Sequence, residues 1–216
     1  MSMYEFATGP LVWIGVLAFV LGFIYRLLAL IGPVKKDKVI VPYMSWRYSA
    51  RSVLNWLTPY RTRNMRMRPF FTFYSFLFHI CLIATPLFLA AHVAIWNRTW
   101  GFGWWSLPGD LANLMTFVVV VAGFFFLLRR IANPAVRYVT GPGDLGLLAV
   151  VLAPFVTGLL AYYQVFDYRT IVTIHGWTGA IWLAAIPFTR ISHMIFFPLT
   201  RGYMGSEFGF RHARDW

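Results

Sequence analysis

Cysteine and charge are both scarce in this 216-residue sequence. The one cysteine, Cys81, excludes an intrachain disulfide, a cysteine-ligated iron–sulfur cluster and a C-x-x-C-H haem attachment within the chain. It reads as a small apolar core residue. Charged residues are 12% of the total, against roughly 25% in a soluble domain, so an ordinary soluble globular protein is excluded. The acidic sign is the rarer one, with seven Asp and Glu against 19 Lys and Arg, a net charge of +12. In a polar fold such a balance suggests nucleic-acid binding. Here the cations punctuate long apolar runs, so no nucleic-acid partner is expected. Hydrophobic residues reach 59%, which excludes disorder.

Five runs are long and apolar enough to cross a bilayer, which takes about 20 residues each. They lie near 10–32, 70–96, 111–130, 143–166 and 170–199. Gly/Pro/Asp clusters separate the later ones: Pro108-Gly109-Asp110, Gly141-Pro142-Gly143-Asp144 and Asp167-Tyr168-Arg169. The expected fold is all-α and integral to the membrane, a five-helix transmembrane bundle forming a single membrane domain over 1–216. The opening segment begins with Glu5 rather than basic residues and has no small-residue cleavage site, so it reads as a retained first helix.

The cations set the expected orientation. Loop 33–69 carries Lys35, Lys36, Lys38, Arg47, Arg51, Arg61, Arg63, Arg66 and Arg68. Arg26, Arg129, Arg130, Arg137, Arg190, Arg201, Arg211 and Arg214 fall on the same face, which leaves only Arg98 and Arg169 on the other. The N-terminus is therefore expected outside and the C-terminal tail, 200–216, in the cytoplasm of a bacterial inner membrane. Tyr43, Trp46, Tyr48, Trp56 and Tyr60 interleave with the cations of loop 33–69. That mix suits an interfacial helix, a docking face for a cytoplasmic partner, or simple attraction to anionic lipid. Trp96, Trp100, Trp104 and Trp105 read as an aromatic belt.

Ionisable residues inside a bilayer are costly and point to function. Four of five histidines fall within the expected spans: His79 and His92 on span two, His175 and His193 on span five. The fifth, His212, reads as a surface residue of the tail. The two spans run antiparallel, so His79 matches His193 in depth on the inner side, and His92 matches His175 on the outer side. Neutral imidazoles paired in this way suit two bis-histidine haems. His175 and His193 are 18 residues apart, five whole turns of a continuous helix and about 27 Å. His79 and His92 are 13 apart, which leaves His92 about 220° around a straight helix. Pro86 lies between them and can kink the span. Met115 is a rival ligand to His92. The bland reading is that these histidines hydrogen-bond between helices. Ala90, Ala91, Gly176 and Gly179 would leave room for a flat macrocycle, and would equally suit close helix packing. Arg190, three residues before His193, is a candidate partner for a haem propionate or a positive-inside anchor.

The run His175–His193, HGWTGAIWLAAIPFTRISH, resembles span five of the gamma subunit of respiratory nitrate reductase. The stretch RRIANPAVRYVTGPGDLGLLAVVLAPFVTGLLA at 129–161 is similar to the same family. The resemblance covers spans two to five and implies two haems b, with His79, His92, His175 and His193 as axial ligands. There are departures. The span-two histidines are 13 apart where the nitrate reductase members have 10. Loop 33–69 is longer than theirs, and Ala112 stands where they carry a quinol-site lysine. FHICLIATPLFLAAH and the long basic loop look more like the cytochrome b subunit of the transmembrane redox complexes of sulfate-respiring bacteria. Those complexes are built around a high-molecular-weight multihaem cytochrome c.

The resemblance implies an electron-transfer subunit, with a cytoplasmic iron–sulfur subunit, other membrane subunits and a periplasmic multihaem cytochrome c as partners. Menaquinone is a further candidate cofactor, and Trp96, Arg98, Asp110 and Asn113 are the candidates for its entrance, although ordinary loop polarity explains them as well. The alternatives are a quinol-oxidising gamma subunit of a nitrate-reductase-type complex and a haem-free membrane anchor.

Overall fold

A computed structural model describes residues 1–39 and 41–213, so Arg214 lies outside the described residues. Those residues are helical throughout, without a strand among them. The helices are α1 (Met3–Thr8), α2 (Pro10–Lys36), α3 (Trp46–Leu57), α4 (Arg63–Met67), α5 (Pro69–Phe88) and α6 (Ala90–Trp100). They continue with α7 (Gly109–Ala132), α8 (Pro134–Tyr138), α9 (Pro142–Tyr162), α10 (Tyr168–Phe188) and α11 (His193–Phe210). Five stretches are long and apolar enough to cross a membrane: Met3–Lys36, Pro69–Trp100, Gly109–Ala132, Pro142–Tyr162 and Tyr168–Phe188. Large apolar side chains such as Leu17, Ile24, Leu114, Phe117 and Ile181 point outward from them. A chain of this kind is a multi-pass membrane protein in contact with lipid, because a helix satisfies its own backbone where no water can.

Three sequence expectations need correction. Span two is not one helix over 70–96; it breaks at Leu89 into α5 and α6. Span five does not run over 170–199 either. Helix α10 stops at Phe188, Thr189 is extended (φ −122°, ψ −175°), and Arg190–Ser192 forms a 3₁₀ turn before α11 begins at His193. Pro187 supplies no N–H for that last turn, and the Thr189 side chain takes the Ile191 N–H, so both favour a stop. His193 is therefore outside the membrane-spanning helix, and the five-turn argument linking it to His175 fails. Finally, the expected tail is helical as far as Phe210, as part of α11.

Contacts group the chain into two compact units. The first comprises Met1–Val12 and Tyr74–Trp182. Within it α1 settles on α10: Ala7, Leu11 and Ala180 form one buried cluster. Gly176 makes this approach feasible, since a Cβ there would lie 2.6 Å from the Ala7 carbonyl oxygen. Gly123 of α7 likewise admits the Leu152 side chain of α9. Helix α10 starts on a cap. The Asp167 carboxylate accepts from the Thr170 amide and hydroxyl at 2.9 and 2.8 Å, which holds it below the usual carboxylate range.

The second unit, Trp13–Phe73 with Leu183–Trp216, is organised by α3 lying along α11. Gly202, Gly205 and Gly209 of α11 face Ser49, Ser52 and Tyr48 of α3. Side-chain hydrogen bonds lock the pair: Ser45 N–H donates to Ser206 Oγ at 2.7 Å, and Ser49 Oγ–H to the Gly202 carbonyl at 2.8 Å. The Arg201 guanidinium stacks 4.3 Å above the Trp56 ring, where burial lowers its pKa. Tyr203 donates to the Asp37 carboxylate at 2.7 Å, which pushes its phenol above the ordinary tyrosine range. The opposite side of α3 exposes Trp46, Arg47, Arg51, Leu54 and Leu57. Gly205→Leu should therefore separate α3 from α11, because its Cβ would overlap Ser52. Overpacking of this kind costs about 1–3 kcal/mol. We expect faster limited proteolysis between residues 38 and 62 than in the parent protein, and unchanged cleavage would count against this packing.

Candidate functional site

The break in span two re-partners three backbone carbonyls. Pro86 offers no N–H to the Leu82 carbonyl, and Leu89 leaves the helical region (φ −67°, ψ 127°), so the carbonyls of residues 86–88 lose their helical donors. Each finds another. The Pro86 carbonyl meets His92 Nδ1 at 2.9 Å, the Leu87 carbonyl accepts from Trp104 Nε1–H at 2.8 Å, and the Phe88 carbonyl accepts from Leu107 N–H at 2.8 Å. A carbonyl can only accept, so His92 carries its proton on Nδ1 and its lone pair on Nε2.

His175 of α10 is set in the same way by α9. The Thr157 hydroxyl donates to the Ala153 carbonyl at 2.8 Å, so its oxygen accepts from His175 Nδ1–H at 3.2 Å. Thr178 donates to the His175 carbonyl at 3.0 Å. Gly158, next to Thr157, leaves space for the ring: a Cβ there would stand 3.3 Å from His175 Cε1. His175 is thus the same tautomer as His92.

The two rings come near each other. Their centroids are 6.1 Å apart and their planes 15° from parallel. A metal–imidazole bond is about 2.0 Å, and the nitrogen sits about 1.1 Å from its ring centroid, so two imidazoles on opposite sides of one iron place their centroids about 6 Å apart. Among the described residues no three His, Cys, Asp or Glu side chains converge on one point. A pair of histidines suits a metal whose remaining ligands arrive with a macrocycle, as in haem. One turn along α10 from His175, a Cβ on Gly179 would meet nothing within 4 Å, which is room a flat ring can use. These residues fit an axially ligated haem.

No family model matches the chain, and no solved structure matches it. A protein of Nitratidesulfovibrio vulgaris (strain Hildenborough), named only "Protein", is 38% identical over 216 residues, covering 98% of this chain and 96% of its own. The two chains belong to one family. Its printed name carries no function, so for this family the chemistry is read from the site.

The other two candidate ligands, His79 and His193, belong to different units. His79 is in the first unit, on α5, with Nδ1 at 2.6 Å from the Ser75 carbonyl and its ring edge-on to Phe78. His193 is in the second unit, where its Nδ1 meets the Arg190 carbonyl at 2.8 Å. Both again carry the lone pair on Nε2. Arg190 opens the 3₁₀ turn that leads into α11, and its backbone carbonyl engages the His193 ring. Cys81 is buried. Met115 is half-buried on α7, and His212 follows α11 with a positive φ of 53°.

The four entrance candidates lie on two helices, α6 and α7. Trp96 joins an aromatic cluster with Phe102 and Trp104, and Arg98 ends α6. Asp110 sits in the first turn of α7, and Asn113 donates to Tyr163 Oη at 2.7 Å. Sequence reading missed Thr157 and Gly158, which position His175. The available signal was a Thr-Gly pair inside an otherwise apolar span. It also took Trp104 for belt alone, whereas its indole closes the span-two break.

Proposed function

We propose that this chain is a dihaem b-type cytochrome, the membrane subunit of a multi-subunit respiratory redox complex. It lies in the bacterial inner membrane with its N-terminus outside and its C-terminus in the cytoplasm. Electrons pass between a periplasmic multihaem cytochrome c, or the quinone pool, and a cytoplasmic iron–sulfur subunit docked on the basic face. Other membrane subunits complete the assembly. The observation that supports the reading is the His92–His175 pair: near-parallel rings with centroids 6.1 Å apart, each with Nδ1 tied back to the protein.

Haem b, when bound, supplies a one-electron couple. His92 and His175 would hold the outer haem. For the inner haem, the proposal rests on sequence position and names His79 and His193, with Arg190 nearby for a propionate. The protein's own part is orientation. Carbonyl acceptors at His79, His92 and His193, and a hydroxyl at His175, fix the tautomer and raise the basicity of the ligating nitrogen. Apolar walls exclude water and so set how readily the couple accepts charge.

The test is a reduced-minus-oxidised absorption spectrum of the purified full-length protein, with haem counted as its pyridine adduct. Two b-type haems per chain are expected. A preparation with no b-type Soret and α bands would leave a haem-free membrane anchor as the better reading.

A further inference from the structure

A continuous span two would give the Pro86 carbonyl to the Ala90 N–H and carry His92 about 220° around the helix from His79. The break prevents both. It persists because two donors from the segment between α6 and α7 occupy the carbonyls beside it: Trp104 Nε1–H on Leu87 and Leu107 N–H on Phe88. Unpaired carbonyls at this position would favour closing the helix, since the apolar surroundings supply no water. With the turn held open, the Pro86 carbonyl is left for His92 Nδ1, and that bond sets the direction of Nε2.

We infer that Trp104 is a positioning residue for the His92–His175 site: its indole N–H, with the Leu107 amide, splints the open turn that aims His92 at His175. The inference rests on the haem reading given above. An aromatic residue of a membrane belt needs only its ring at the interface. Trp104 has such a role too, packed against Trp96 at 5.8 Å and Phe102 at 6.3 Å. The N–H···O bond to Leu87 is a separate function, and substitution can separate the two.

Trp104→Phe keeps a ring and removes the donor. In the purified full-length protein, electron paramagnetic resonance and a redox titration resolve the two low-spin haems. The expected result is two haems retained, with the g-values and midpoint of one shifted and those of the other unchanged. Two unchanged haems, or equal shifts in both, would overturn the inference. Should Trp104→Phe fail to accumulate, Pro86→Ala reads the same turn from its other end. It restores an N–H and favours a closed helix. It should perturb the signal that His92→Ala removes, and an unperturbed spectrum would equally overturn the inference. Absence of b-type bands from the parent protein would sink the haem reading itself, whereas two haems indifferent to both variants would sink only the splint.

Discussion

On the proposed dihaem reading, His175→Ala is expected to halve the haem content, from two equivalents per chain to one. The ring centroid lies 6.1 Å from that of His92 and its Nδ1 is held by Thr157. His92→Ala should remove the same spectral component, because a bis-histidine site loses its low-spin signature with either ligand. The two variants should therefore look alike, and each should leave the second component intact. Imidazole added to His175→Ala should restore part of the lost component, since the vacated space matches the added ring. If either variant keeps two haems with unaltered spectra, the assignment to this pair is wrong. Met115 on α7 then becomes the ligand to test.

Gly179→Leu should also abolish that component, without touching a ligand. A Cβ at this position meets nothing within 4 Å, and leucine is favoured over glycine in a helix by about 1 kcal/mol. Without haem, the substitution should be neutral or mildly stabilising. With haem, the added side chain occupies the space one turn from His175 and the macrocycle cannot enter. The discriminating result is loss of one haem from a protein whose thermal unfolding temperature is unchanged or raised. Two retained haems would place the macrocycle elsewhere.

Much of the frame was legible in the sequence because bilayer crossing is a constraint on length and polarity. Runs one, three and four and the turns at Gly109, Pro142 and Tyr168 correspond to helix ends within a few residues. Depth along two antiparallel runs was enough to nominate His92 with His175. The interruptions were harder to read. Pro86 announced a kink, but the break fell at Leu89, where donors from residues 104 and 107 decided it. Those donors are distant in sequence and leave no periodic trace. Pro187 and Thr189 both favour a stop there, but the apolar run continues past them and hid that His193 would be the first residue of another helix. Hydropathy could not distinguish these cases, because FFPLT at 196–200 is as apolar as a continuing span.

The pairing of α3 with α11 has a consequence for biogenesis. Ser45 waits for Ser206, Ser49 for Gly202, and Asp37 for Tyr203, so each bond closes across more than 150 residues. During synthesis α3 emerges early, while the glycine face that covers it follows more than 150 residues later. Until then Ser52 and Trp56 have no lid, and a nascent or shortened chain shows quality control an amphipathic helix without its mate. Completion of this unit thus requires that synthesis has passed Ser206 and Gly209 of α11.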